Sequence, residues 1–362
     1  MYRRGVRALI LHGPDDLRLE EVSDPVAGAG EIVVDVLVAL TCATDAKMMR
    51  VGAHPALGAL PAPLGHELAG VVSEVGPGVA RLRPGDAVVV ANSAPCLGCP
   101  ECRAGRANLC RRITYLTGAF AERLRVPAAI VARNTHPLPP TLEPRLAAAA
   151  EPLACAVHTA TICASGEARE VLILGGGVQG YLLAGLITAC GDRVSVVDPH
   201  PDRRARAMRA GATAVHEVPA DEAELGELRA RVGDGHGADL VIEAVGRPAA
   251  WQMAVALARP GGEVIFHGGC PVGARVDLPT GPLHYSELTL RGSYHHTPEA
   301  FREAITLLER GEPAVDELIH EPIALAEVPD VLRLSPGNKH PVIVGTTVGR
   351  TTRGSSQADI FV

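Results

Sequence analysis

The stretch from Glu170 to Asp198 constrains the fold of this chain more than any other. Val171-Leu-Ile-Leu174 is a short apolar run, Gly175-Gly-Gly177-Val-Gln-Gly180 follows without a break, an apolar segment continues to about Ala189, and Arg193-Val-Ser-Val-Val leads into Asp198. A glycine motif alone is weak evidence. Placed between a strand and a helix, with an acidic residue closing the next strand, it predicts a β-α-β unit whose helix N-terminus receives a pyrophosphate. Gly175, Gly177, Val178, Gln179 and Gly180 are the cofactor-binding candidates. Asp198 is placed to accept from adenosine ribose hydroxyls and to repel a 2′-phosphate, which favours NAD over NADP, while Arg203 and Arg204 offer guanidinium groups for such a phosphate. The alternation continues through Ala238-Asp-Leu-Val-Ile-Glu, a helical stretch from Trp251 to Ala258, Gly262-Glu-Val-Ile-Phe and Leu288-Thr-Leu-Arg-Gly. A doubly wound parallel sheet is therefore expected over 156–296.

The residues before it follow a different pattern. Apolar segments from Val6 to about Val38, then Leu68-Ala-Gly-Val-Val-Ser-Glu-Val and Ala87-Val-Val-Val-Ala, are separated by Gly and Pro turns, which predicts a β-rich, partly closed domain up to about 150 or 155. Glu151-Pro-Leu-Ala-Cys opens a helix leading out of it, with Pro152 suggesting that Glu151 precedes the first turn. From Thr297 a helix is expected to Arg310. Pro341-Val-Ile-Val then reads as a return to the first domain, and 346–362 as a loosely ordered tail.

Two metal sites are legible. Cys96-x2-Cys99-x2-Cys102-x7-Cys110, within a lobe over about 92–112, lets one loop wrap a tetrahedral ion; the final spacing and the arginine after Cys110 set it apart from the iron–sulfur pattern, and structural zinc is the expectation. The second centres on Pro63-Leu-Gly-His66-Glu67. With Cys42 upstream and Glu151 downstream, it supplies a mixed sulfur, nitrogen and oxygen set suited to a catalytic zinc with one open position.

Composition excludes several classes. Hydrophobic residues make up 47% of 362, enough for two cores, and a net charge of −7 leaves no basic stripe for nucleic acid or an anionic membrane. Nine cysteines, four of them clustered, point to metal binding in a reducing, cytoplasmic compartment. Residues 171–191 carry no charge, but their glycines fit a strand, turn and buried helix better than a membrane span.

Cys42 with Thr44 and Asp45, Gly65-His66-Glu67, the four cysteines, Glu151-Pro-Leu and the glycine motif with Asp198 together resemble the zinc-dependent medium-chain dehydrogenase/reductase family, over nearly the whole chain. Glu-Pro-Leu resembles its sorbitol and threonine (polyol) dehydrogenase branch. The resemblance implies a GroES-like catalytic domain (1–155 and 297–362) beside the Rossmann domain, with Cys42 and His66 as ligands of a catalytic zinc. It implies that Glu67 and Glu151 share the oxygen role, that Asp45 orients His66, that Thr44 relays the alcohol proton, and that the chain forms a homodimer or homotetramer. Ala43 stands where the family often has glycine, and Lys47 where many members have a relay histidine, so Lys47 is a candidate for binding a phosphate or carboxylate, or for taking the proton. The expected reaction is reversible NAD-linked oxidation of a secondary alcohol on a polyol, cyclitol, sugar or hydroxy-amino compound. The alternatives are a zinc-free double-bond reductase on the same fold and a non-enzymatic zinc-binding module.

Overall fold

A computed structural model describes residues 5–164 and 168–344. The expectation for 346–362 lies outside the described residues.

Six strands form a wholly parallel sheet in the spatial order Ala214–His216, Arg193–Val197, Glu170–Leu174, Ala238–Glu243, Ala258–Phe266 and Thr289–Gly292. Numbered along the chain this order is 3-2-1-4-5-6, so the direction of travel reverses between the Glu170 and Ala238 strands and opens a crevice at their carboxyl ends. Val171, Leu172, Ile173 and Leu174 are all buried, as strands covered by helices on both faces require. The glycine motif turns the chain sharply into the Val178–Ala189 helix. Gly175 takes φ 97°, which favours glycine, and a Cβ on Gly180 would lie 1.7 Å from the Gly175 carbonyl oxygen, so helix and strand approach only because no side chain intervenes.

The remaining strands form the predicted β-rich unit. Ile32–Leu40 is its hub: it pairs antiparallel with Leu68–Val75, with Arg123–Val126 and with Pro341–Ile343. The last pairing, with Val342 opposite Ala39, realises the expected return of the chain. A smaller sheet joins Val6–Gly13 to Asp16–Val22 and to Ala62–Pro63.

The helix Ala150–Cys163 carries the chain from one unit to the other. It starts one residue before Glu151, so Glu151 lies inside the first turn and not ahead of it. Pro152 is tolerated there because the first four amides of a helix have no intrahelical acceptor. Its small residues Ala150, Ala154 and Ala156 are fully buried, and it packs between the Val178–Ala189 and Pro298–Arg310 helices. The Pro298–Arg310 helix is bounded by Thr297, whose hydroxyl accepts from Ala300 N at 3.2 Å, and by Gly311 at φ 72°. Among the described residues no helix is long and apolar enough to cross a membrane.

Candidate active site

Cys42 caps the N-terminus of the Ala43–Val51 helix, its sulfur accepting from Thr44 N at 3.5 Å. A thiolate at that end is favoured by the helix dipole. Asp45, in the same first turn, is fully buried and accepts from His66 Nδ1 at 2.8 Å. With Nδ1 donating to Asp45, Nε2 is the His66 atom left for a metal to take in place of a proton, and it lies 3.8 Å from Glu67 Oε1. Gly65 holds this segment at φ 95° where a Cβ would strike the Phe120 backbone at 2.6 Å, so the imidazole is aimed by a turn only glycine can make there. The ligand atoms of Cys42, His66 and Glu67 lie within 4.8 Å of one another.

Lys339, on the segment that returns to the first unit, forms a short ion pair with Glu67 Oε1, both side chains being buried. This sets the electrostatics. Burial pushes the Cys42 thiol up, but Lys339 and the His66 ring outweigh it and hold it at about 6. Burial raises Glu67 to about 8 despite Lys339. Burial opposes charge on His66 too, yet Asp45 and Cys42 raise it well above the ordinary histidine value. Among the described residues Glu67 Oε2 and Asp45 Oδ2 are buried without a partner. A thiol drawn towards ionisation, an imidazole of fixed tautomer and a carboxylate with a free buried oxygen fit a zinc ion.

Glu151 falls outside this trio. Its Oε1 accepts from Asn92 Nδ2 at 2.9 Å and faces Cys155 Sγ at 3.8 Å, and its ligand atom groups with those of His295 and His296. Burial raises the Glu151 carboxyl, with His66 and Lys339 opposing and Glu67 reinforcing, which places it beside the first trio. Thr44 is half-buried, and Lys47, one helical turn on, is exposed and acts electrostatically on His54 and on Cys270 beyond the Ala258–Phe266 strand.

The four lobe cysteines converge as expected, their sulfurs within 4.8 Å of one another. Backbone amides point at them: Cys96 N donates to Cys110 Sγ at 3.1 Å, Gly98 N to Cys96 Sγ at 3.4 Å and Arg112 N to Cys110 Sγ at 3.3 Å. The Gly98 amide is the main cause holding Cys96 at about 6. The donor set suits a closed tetrahedral ion.

In the crevice of the parallel sheet, Asp198 is buried and both its oxygens are used, Oδ2 by Gly176 N and Oδ1 by His200 N, each at 2.8 Å. Arg203 lies 3.7 Å from it, whereas Arg204 turns away to the Asp198 carbonyl and Glu217. A Cβ on Gly177 would meet nothing within 4 Å, leaving the helix N-terminus open to a phosphate. Gln179 donates to the Pro152 carbonyl at 3.1 Å, tying this motif to the helix that carries Glu151. Beyond Arg203 lies an open cavity of about 540 Å³ lined by His200, Arg206, Arg209, His320 and Asn338.

The family sequence model described as an alcohol dehydrogenase GroES-like domain matches residues 28–139, and that of a zinc-binding dehydrogenase matches 180–310. L-threonine 3-dehydrogenase of Pyrococcus abyssi (strain GE5 / Orsay) is 32% identical over 308 residues, 83% of this chain and 86% of its own length. The chain belongs to the zinc-dependent medium-chain dehydrogenase/reductase family. L-galactonate-5-dehydrogenase of Escherichia coli (strain K12) is 29% identical over 345 residues, 94% of this dehydrogenase and 98% of its own length. A solved structure from Sinorhizobium meliloti 1021, described as a zinc-binding dehydrogenase bound to NADP, superposes with TM-score 0.83 at 31% identity and covers 94% of this chain and 100% of that one. The dehydrogenase is thus an oxidoreductase acting on CH–OH groups with a nicotinamide cofactor. Four residues around the site have no signal in the sequence. Lys339 lies in a polar Gly-Asn-Lys-His loop that reads as solvated, and Asn92 and the His295-His296 pair flank strands without a ligand-like spacing. The predicted return of Pro341 to the first domain was the one available hint for Lys339.

Proposed function

We propose that this dehydrogenase oxidises a secondary alcohol of a polyol, sugar acid, cyclitol or hydroxy-amino compound to the ketone, reversibly and with NAD, using a zinc held by Cys42, His66 and Glu67. The carrying observation is the convergence of those three ligand atoms within 4.8 Å, with the His66 tautomer set by Asp45. A zinc bound there supplies a Lewis acid that lowers the pKa of an alcohol hydroxyl, and the nicotinamide supplies the hydride acceptor. The chain's own residues do the rest. Asp45 keeps the Nε2 lone pair of His66 directed at the cleft, and Lys339 balances the charge of Glu67. Thr44, half-buried in the first turn of the helix that Cys42 caps, accepts the substrate proton and passes it towards solvent, with Lys47 one turn further along. Gly175, Gly177, Val178, Gln179 and Gly180 line the phosphate turn, with Asp198 and Arg203 at the adenosine end. The lobe zinc on Cys96, Cys99, Cys102 and Cys110 is structural.

The sugar-acid and hydroxy-amino classes follow the names of the L-galactonate and L-threonine relatives, and the polyol and cyclitol classes follow the Glu151-Pro-Leu resemblance. NADP is the second reading: both Asp198 oxygens are already engaged by amides, the cavity beyond Arg203 carries Arg206 and Arg209, and the relative from Sinorhizobium meliloti 1021 binds NADP. All nine cysteines are free, which supports a reducing, cytoplasmic setting, and the family supports a homodimer or homotetramer. Reduced nucleotide formation is measured with NAD and NADP against sugar acids, polyols, amino-cyclitols and hydroxy-amino acids. Turnover with at least one class, abolished by Cys42→Ser, is expected. No turnover by the zinc-loaded protein with any class and either nucleotide rejects the reading.

A further inference from the structure

Resting on the proposed dehydrogenation at Cys42, His66 and Glu67, we infer that His295 is a specificity-determining residue that touches the substrate. Its ring hydrogen-bonds the hydroxyl on the carbon next to the reacting carbinol, so that a vicinal diol is taken in preference to a lone secondary alcohol.

The position of the ring comes first. One ring nitrogen of His295 lies within 4.8 Å of a carboxylate oxygen of Glu151, and Glu151 acts electrostatically on the His66 and Glu67 side of the cleft. His295 also feels the charges of His66 and of His54, which follows the Ala43–Val51 helix. Yet the residue belongs to the nucleotide-binding unit. Ser293 to His296 leave the carboxyl end of the Thr289–Gly292 strand, the end of a parallel sheet at which ligands bind. The ring therefore crosses from the sheet that holds the nucleotide to the carboxylate beside the metal cleft, where substrate and nicotinamide meet.

The contacts that hold it come from both units. His295 has a left-handed backbone at φ 58°, uncommon for a residue other than glycine, and such conformations persist where the surroundings over-determine them. Ser93 Oγ is hydrogen-bonded to its Nε2 at 2.6 Å, and the Ser93 carbonyl accepts in turn from Asn134 Nδ2 at 2.8 Å. The Tyr115 ring, on the strand paired with Ser93–Ala94, lies 6.1 Å from it, and the His296 ring 4.2 Å. Asn92 fixes the neighbour: its amide nitrogen donates to Glu151 Oε1 and its oxygen accepts from His296 Nε2, both at 2.9 Å. His296 is sealed, whereas His295 is half-buried and keeps an edge on open space.

The chemistry of that edge selects the ligand. With Nε2 taken by Ser93, Nδ1 has no partner among the described residues. A serine hydroxyl can donate to Nε2 or accept from it, so Nδ1 is an acceptor or a donor accordingly. A hydroxyl answers both states, while an ammonium only donates and a carboxylate only accepts. Burial, with His296 next to it, holds His295 well below the ordinary histidine value, so the ring is neutral and does not select for an anion. A carbinol oxidised beside Glu151 carries its vicinal oxygen one carbon further, within reach of a ring held this close.

The test compares 2,3-butanediol with 2-butanol, and trans-1,2-cyclohexanediol with cyclohexanol, in the full-length zinc-loaded protein. Wild type should favour each diol by at least about tenfold in kcat/KM. The preference should fall to within about threefold in His295→Gly, whose backbone suits φ 58°, and in His295→Phe, which keeps a ring without nitrogens. His295→Asn, at ease in the same conformation and able to donate and accept, should keep most of it. Binding of the same alcohols to the protein–NADH complex, where no hydride can transfer, is followed by NADH fluorescence and should show the same loss for the diols alone. No diol preference in the wild type, a preference unchanged in both folded variants, or an equal loss on diol and lone alcohol overturns the proposal. Absence of turnover with the whole substrate panel and either nucleotide is a different result: it rejects the dehydrogenase reading itself and this role with it.

Discussion

Cys96, Cys99, Cys102 and Cys110 come from 15 consecutive residues at the surface, whereas Cys42, His66, Glu67 and Lys339 are brought together from nearly 300 residues of chain into a buried cleft. The lobe stabilises its sulfurs with nearby backbone amides, which no side-chain substitution can remove. The cleft relies on charged side chains taken out of water, each dependent on a partner from a distant element. A local candidate site can be lost as a unit. A dispersed one is answerable to the whole fold.

Substitutions that strike one region and spare the other can break this contrast. The largest effect is expected from Cys42→Ser: kcat/KM falls on the order of 10³-fold in steady-state assays, with circular dichroism unchanged. Next is Lys339→Met, which leaves Glu67 buried and unpaired and should cost about 3–5 kcal/mol in urea unfolding. Combining it with Glu67→Gln should restore most of that loss, and additivity of the two would remove the ion pair from the account. Cys99→Ser reverses the pattern. One zinc equivalent and several degrees of thermal midpoint are lost, while kcat/KM stays within about threefold; a collapse of kcat/KM in an intact fold would erase the distinction between the regions.

A smaller effect sets the baseline. His136 and His267, outside both clusters, are pushed down to about 4 by burial. Their folded pKa lies below the unfolded value near 6.5, so the stability they contribute is full above about pH 6.5 and is lost as pH falls through about 4. Urea midpoints should show a decline of about 1–2 kcal/mol per residue, reduced by solvent screening, and a shallower one in His136→Gln. The smallest effect is that of Lys47→Met, expected to lower the preference for phosphorylated or carboxylated substrates over neutral ones by less than about tenfold. Unchanged selectivity would take Lys47 out of the pocket.

What could be read from the sequence divides along the same line. The strand Arg193–Val197, the helix Val178–Ala189 and the four cysteines are written in local periodicity and spacing, and the structure places them where that pattern does. Glu151 shows the limit of such reading: proline chemistry marked a helix start correctly to within two residues, yet could not say that Asn92 would claim the carboxylate. Lys339 was illegible for a physical reason. A lysine's propensity is to be solvated, and only the pairing of Pro341–Ile343 with Ile32–Leu40, a contact across 300 residues, removes it from water.

That late strand has a consequence for biosynthesis. A ribosome releases Ile32–Leu40 and Glu67 long before residues 339–343, so the nascent amino-terminal unit must wait with one sheet neighbour missing and an acidic group that has no counter-charge. Assembly of the cleft is therefore deferred until residues 339–343 emerge, and a chain stopped before them would keep its clustered thiol loop while forfeiting the interior arrangement of Cys42, His66, Glu67 and Lys339.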